Sequence, residues 1–350
     1  MKPSKARELS LKTLEAGLTP FLLGGTGVGK SALVLDIAKE LAGSRELSVD
    51  NLSPNSKEYG FVDLRLSLLE SVDLGGLPYL DDDNKQRRAF LGNLPLKGEG
   101  VLFLDEYTQS HPSVQVLGAQ LIKDKRLGEY ILPKGWNIIC AGNRSTDRAG
   151  SHKLPSHVVG RVATIEVDAD FDDFYAHATE VNAHPTILGY LNFQPNALNV
   201  FDSREMGAQP SPRTWMNLSA VLWTEPRREI MQELVKCFVG EVQAIEFFNF
   251  IRLMDDVPNL TEIVEGRCEE QIENVGLCFA TAVALIDVIA NADKKKVYTY
   301  FENALAFFDE CFPTPEFSIF FVRQCVAKRK ELIETETFSK FKVAHKDLEY

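Results

Sequence analysis

Gly24-Gly25-Thr26-Gly27-Val28-Gly29-Lys30-Ser31 is the stretch that decides how this chain is read. Gly24, Gly29, Lys30 and Ser31 satisfy the pattern G-x-x-x-x-G-K-[ST], a loop whose backbone N–H groups cradle phosphate oxygens. The flanks supply the required setting. Thr19-Pro20-Phe21-Leu22-Leu23 reads as a short buried strand, and Leu33, Ile37 and Leu41 recur as on the buried face of a helix. Glycines at such a strand–helix junction let N–H groups converge on an anion at the helix N-terminus. Lys30 is then expected to reach the β- and γ-phosphates, and the Ser31 hydroxyl to bind Mg²⁺. Gly24, Gly25, Thr26, Gly27, Val28, Gly29, Lys30, Ser31 and Ala32 are the expected nucleotide-binding residues.

Further along, Val101-Leu102-Phe103-Leu104 is a second apolar run, and it ends in Asp105-Glu106. Hydrolysis of a triphosphate needs a metal ion, a positioned water and positive charge for the transition state. Asp105 is expected in the Mg²⁺ shell beside Ser31, and Glu106 as the general base that polarises water. No Asn-Lys-x-Asp segment is present for reading guanine. The Asp73-Leu74-Gly75-Gly76 stretch mimics a GTPase switch only weakly, so the expected nucleotide is ATP rather than GTP.

The surrounding chain alternates strands and helices. Residues 61–66, 137–140 and 162–165 are short runs with β-branched or aromatic content, and Pro112 opens a helix with Val114, Leu117 and Leu121 on one face. With 19–23 and 101–104 they predict a five-stranded, mostly parallel sheet covered on both sides, an α/β class of three layers. Gly75–Asn93 and Arg126–Trp136 interrupt that alternation and read as hairpin insertions. Beyond about residue 170 the pattern is helical, with segments at 212–224, 227–254, 270–292, 295–311 and 317–334. Two domains follow: a nucleotide-binding core over 1–170 and a helical lid with a C-terminal extension over 171–350.

Composition bounds the rest. Net charge is −12 over 350 residues, which argues against duplex nucleic acid as the main partner. Six scattered cysteines with no C-x-x-C pair speak against a zinc site or a disulfide framework. No apolar leader opens the chain, and no apolar stretch is long enough to span a bilayer, so a cytoplasmic location is expected. The histidines are isolated, and the Asp81-Asp82-Asp83 run reads as a solvated hairpin tip.

Gly24–Ser31, Asp105-Glu106, Ala141-Gly142-Asn143, Leu154-Pro155 with Arg161, and Ser211-Pro212-Arg213 stand in the order and spacing of the AAA+ ATPases of the MoxR type, which the chain resembles from about residue 15 to 255. The resemblance implies that Asn143 is sensor 1, orienting the attacking water. Arg161 is implied as the arginine finger that reaches a neighbouring subunit's nucleotide, with Arg148 and Arg144 as lesser candidates. Arg213 is implied as sensor 2 at the start of the lid. It also implies a homo-oligomeric ring, six-membered in the family, with both insertions facing the pore, and a chaperone-like action on a protein partner that often carries a von Willebrand factor A domain. Departures are Tyr107-Thr108, where the family often has Ile-Asn-Arg, Arg144 in place of a proline, and Val162 in place of a phenylalanine. A DNA-associated motor or loader, and an assembly protein using nucleotide as structural glue, remain as alternative readings.

Overall fold

The computed structural model describes residues 1–90, 92–144, 156–202 and 207–345. The chain forms two compact units, Met1–Asp170 and Phe171–Tyr350. Among the described residues of the first, ten strands are formed: β1 (Thr19–Leu23), β2 (Glu46–Val49), β3 (Glu58–Arg65), β4 (Leu77–Leu80), β5 (Gln86–Ala89), β6 (Glu99–Asp105), β7 (Arg126–Leu127), β8 (Tyr130–Ile131), β9 (Gly135–Gly142) and β10 (Val162–Glu166). Its helices are α1 (Pro3–Glu15), α2 (Lys30–Ala42), α3 (Ser71–Gly75), α4 (Pro112–Asp124) and α5 (Ser156–Val159).

Six strands make one sheet in the order β10-β1-β9-β6-β3-β2, and every neighbouring pair is parallel. Because parallel strands are joined by helical crossovers, both faces are covered and the strands carry nearly continuous apolar runs. Successive residues therefore serve opposite cores. Leu22, Phe61, Val101, Phe103, Ile139 and Ala141 pack with residues of α1 and α2, including Ala6, Val34 and Ile37. Phe21, Val62, Leu102, Leu104, Ile138 and Cys140 pack with Val114, Leu121 and Ile122 of α4. This is the three-layer arrangement expected, with six strands where five were predicted. The additional one is β2, Glu46-Leu47-Ser48-Val49, an edge strand with no buried residue. It has hydrogen-bonding value but no apolar run to announce it.

Both interruptions of the alternation are hairpins. β4 and β5 pair antiparallel, as do β7 and β8. The two are tied to each other: Arg87 binds Asp81 of its own hairpin at 2.9 Å and Glu129 of the other at 2.5 Å. The Phe90 and Tyr130 rings also meet, with centroids 5.6 Å apart. The solvated tip is thus internally organised, since the Arg87 guanidinium and the Lys85 backbone N–H hold the Asp81 carboxyl below the usual range.

The regular structure among the described residues of the second unit is all helical: α6 (Phe171–Glu180), α7 (Pro185–Phe193), α8 (Pro212–Leu222), α9 (Arg228–Leu253), α10 (Leu260–Val264), α11 (Val275–Asn291), α12 (Val297–Cys311), α13 (Glu316–Lys328) and α14 (Glu336–Ala344). Its core is aromatic. Trp215, Tyr190, Phe247 and Phe250 are fully buried and in ring contact, and Trp215 Nε1 donates to the Ala197 carbonyl at 2.9 Å. The sequence reading of 227–254 as one helix needs a correction: α9 is broken at Gly240, whose φ is 80°. Among the described residues no helix is long and apolar enough to cross a membrane.

Candidate functional site

A loop that must wrap an anion has to release its backbone N–H groups from regular structure, and residues 24–29 do this between β1 and α2. Gly24 is fixed by space: a Cβ there would lie 2.4 Å from the Val167 carbonyl oxygen. Gly29, the residue before α2, is fixed by conformation, with φ at +98°, where side chains are strained. Lys30 opens α2 and is buried. Its ammonium donates to the carbonyls of Gly24 (2.8 Å) and Gly25 (2.9 Å) and to Asn143 Oδ1 (2.9 Å). The loop is therefore closed around its own lysine.

The parallel order brings the remaining groups to the same edge. Asp105 ends β6, and Gly142 ends β9 one residue before Asn143. Ser31 Oγ donates to Asp105 Oδ2 at 3.1 Å, and the Glu106 N–H donates to Asp105 Oδ1 at 2.7 Å. The Asn143 side chain is shared: Oδ1 accepts from Lys30, and Nδ2 donates to Thr26 Oγ1 at 3.1 Å. Lys30, Ser31, Asp105, Glu106 and Asn143 thus form one constellation, drawn from three strand ends that span more than a hundred residues of sequence. Arg213 lies in the second unit, exposed in the first turn of α8, which is capped by Ser211 and Thr214.

The arginine candidates separate. Arg161 precedes β10, whose first residue Val162 pairs with Thr19, the first residue of β1. The phosphate loop leaves the other end of β1. At a rise of about 3.3 Å per residue, the five-residue register puts roughly 16 Å between Arg161 and that end of the sheet. Arg144 stands near the loop but is engaged, donating to Asp168 Oδ1 (2.5 Å) and the Val167 carbonyl (3.1 Å). Arg148, like the Leu154-Pro155 pair, lies outside the described residues.

Three residues to which the sequence reading gave no role, Ser67, Thr108 and Asp63, surround these groups. Glu106 has φ 54°, ψ 32°, a left-handed conformation that is uncommon for a side-chain-bearing residue. Its Oε2 accepts a hydrogen bond from Ser67 Oγ, just past the end of β3. Thr108 Oγ1 accepts from the Asn143 N–H at 2.9 Å and lies 3.0 Å from the Asn143 carbonyl oxygen. With Tyr107, whose hydroxyl donates to the Gln115 carbonyl at 2.6 Å, it anchors the turn after the two acids. The Tyr107-Thr108 departure from the family pattern therefore has a structural use. Asp63 of β3 is the third: its Oδ1 is buried with no hydrogen-bond partner, and burial, with Asp105 adding to it, pushes its carboxyl up.

These residues fit a Mg²⁺ ion. It prefers hard oxygen donors, keeps several waters, and takes one or two carboxylates together with the phosphates of its nucleotide. The Ser31 hydroxyl and Asp105 carboxylate are such a pair, and the unpartnered Asp63 oxygen gives their surroundings a further unbalanced acceptor. Among the described residues no three His, Cys, Asp or Glu side chains gather as a metal site.

No family model matches the chain, and no curated protein matches it. Solved structures do. A provisionally assigned ATPase of Cytophaga hutchinsonii is 14% identical with a TM-score of 0.36, over 99% of this chain and 89% of that one. The Holliday junction branch migration motor RuvB of Thermotoga maritima is 17% identical with a TM-score of 0.36, over 81% of this chain and 80% of that one. A point mutant of the same RuvB is 17% identical with a TM-score of 0.35, over 80% of each chain. These superpositions are loose, and function is better read from the strand order and from the groups gathered at its edge.

Proposed function

We propose that the chain is an AAA+ ATPase of the MoxR type, working in the cytoplasm as a homo-oligomeric ring, six-membered as in that family, which couples Mg²⁺-dependent ATP hydrolysis at subunit interfaces to the remodelling of a protein partner. The observation that carries this reading is the meeting of Lys30, Ser31, Asp105, Glu106 and Asn143 at one sheet edge. In this reading Lys30 neutralises the β- and γ-phosphates, and the loop N–H groups bind their oxygens. Ser31 and Asp105 would hold Mg²⁺, which would supply neutralising charge for the reaction. Glu106 accepts the proton of the attacking water. Asn143, already bridging Lys30 and Thr26, fixes that water relative to the terminal phosphate. Arg161 serves the neighbouring subunit, and Arg213 reports nucleotide state to the helical unit. The paired hairpins are read as the pore-facing elements, and a von Willebrand factor A domain partner follows from the family resemblance.

Glu106→Gln tests the chemistry directly. It keeps the shape and removes the base, so ATP affinity should stay within about threefold while turnover drops on the order of 10²–10⁴-fold. Isothermal titration with ATP and a phosphate-release assay read the two quantities, and wild-type turnover would reject Glu106 as the base. Ser67→Ala tests how that base is held. A hydrogen bond to a charged carboxylate is worth about 1.5–3 kcal/mol, and by stabilising the ionised form it weakens Glu106 as a base. Basal turnover should therefore rise, by about tenfold at saturating ATP. A fall would mean that Ser67 instead holds Glu106 in its working position.

A further inference from the structure

Within the helical unit, a cavity of about 330 Å³ is lined by Thr179, Asn182, Ala290, Gln324 and Lys328, with the exposed Glu180 at its rim. That volume is the lower end of what small-molecule sites occupy. Its walls are polar and organised. Gln324 is 2% exposed, and its Nε2 donates to Tyr175 Oη (2.8 Å) and Thr179 Oγ1 (2.9 Å). Asn182 takes a left-handed conformation (φ 56°), its carbonyl accepts from Trp223 Nε1 at 3.2 Å, and its side-chain amide makes no hydrogen bond among the described residues.

Lys328, in the last turn of α13, brings a charge into this space, with Asp287 acting on it from nearby and Glu180 also lining the cavity. Its ammonium lies 5.0 Å over the Trp223 ring, and among the described residues no carboxylate stands within ion-pair distance of it. The carboxylate that acts on it from nearby, Asp287, accepts instead from Asn291 Nδ2 at 3.2 Å. His184 meets the Trp223 ring edge-on, with centroids 4.8 Å apart, and is kept neutral, its pKa pushed down to about 4 by burial and by Lys328. Burial likewise lowers the pKa of Lys328. An ammonium kept in a half-enclosed polar space with no carboxylate in contact is incompletely compensated, and an oxyanion entering the space would supply a paired charge.

We propose that this cavity binds a small molecule bearing a carboxylate or phosphate group, with Lys328 as the charged contact and Asn182 as a hydrogen-bond donor beside it. The site lies wholly within the helical unit and does not depend on the ATPase reading. Trp223 makes it measurable. The whole 350-residue chain carrying Lys30→Ala, which removes the lysine of the phosphate loop, is titrated with inorganic phosphate and separately with succinate at constant ionic strength. Tryptophan emission is followed, with Trp223→Phe identifying the reporter. A saturable change below about 10 mM is expected with at least one probe, and the probe that acts tells phosphate from carboxylate. Lys328→Gln should weaken it at least tenfold, and Lys328→Arg should keep it within about threefold. No saturable response to either probe, or an equal response in Lys328→Gln, overturns the proposal.

Discussion

Replacing Lys30 by alanine is expected to lower ATP affinity at least about 100-fold, a loss of roughly 2.7 kcal/mol or more. The size follows from what the ammonium does. Its three donors are spent on Gly24, Gly25 and Asn143, all of which shape the loop that receives the phosphates. The substitution therefore removes a positive charge from a buried position and also frees the loop carbonyls and the Asn143 amide that it was holding. Charge-assisted hydrogen bonds to phosphate are about twice as strong as neutral ones, and here they are shielded from solvent. Isothermal titration gives the affinity. A thermal melt gives an independent check, because ligand at 100 times its dissociation constant adds about 2.7 kcal/mol to the folded state. The wild-type melting temperature should rise with Mg-ATP and the variant's should not. A variant affinity within threefold of wild type would remove the loop from the nucleotide site.

Some of this site could be read from the chain alone, and the division has a physical basis. Residues 24–31 and 101–106 carry local signatures, a glycine pattern and an apolar run ending in acids, and each can be recognised without its neighbours. The sheet was legible for the same reason: a strand buried on both faces, such as Val101-Leu102-Phe103-Leu104, writes its burial as an uninterrupted apolar run. β2 was not, because an edge strand needs only backbone hydrogen bonds, and Glu46-Leu47-Ser48-Val49 has no buried residue. Ser67, Thr108 and Asp63 were not legible either. Each acquires its role through parallel register. Arg65 pairs with Asp105, and this carries the chain after β3 past the two acids and leaves Ser67 facing Glu106. Such adjacency is a property of strand order, and no spacing within the sequence encodes it. Gly240 is an intermediate case. A glycine inside a helical pattern warns of a break but does not require one, and here its φ of 80° divides α9.

Arg161→Ala is expected to cost turnover on the order of 10³-fold or more, as loss of a transition-state arginine does in related phosphoryl-transfer chemistry, with ATP binding nearly unchanged. The geometry makes a stronger claim than the magnitude. Parallel β1 and β10 run in register from Thr19–Val162 to Leu23–Glu166, so Arg161 and the phosphate loop lie at opposite ends of one strand pair. An arginine side chain extends only about 7 Å, less than half of the roughly 16 Å strand length. Arg161 therefore cannot complete the site of its own chain, and any catalytic effect must be delivered to another copy. Mixing distinguishes the cases. Arg161→Ala subunits keep a whole set of cis groups, and Glu106→Gln subunits keep the arginine. Each variant alone should be nearly inactive. In a randomly mixed ring, about a quarter of interfaces join good cis groups to a good arginine, as head-to-tail symmetry requires. Activity should then return to about a quarter of wild type if interfaces act independently. Two affinity tags confirm that rings are mixed. Verified mixed rings that stay at the level of the separate variants would exclude Arg161 as the trans-acting residue and with it the shared interface on which the proposed mechanism depends.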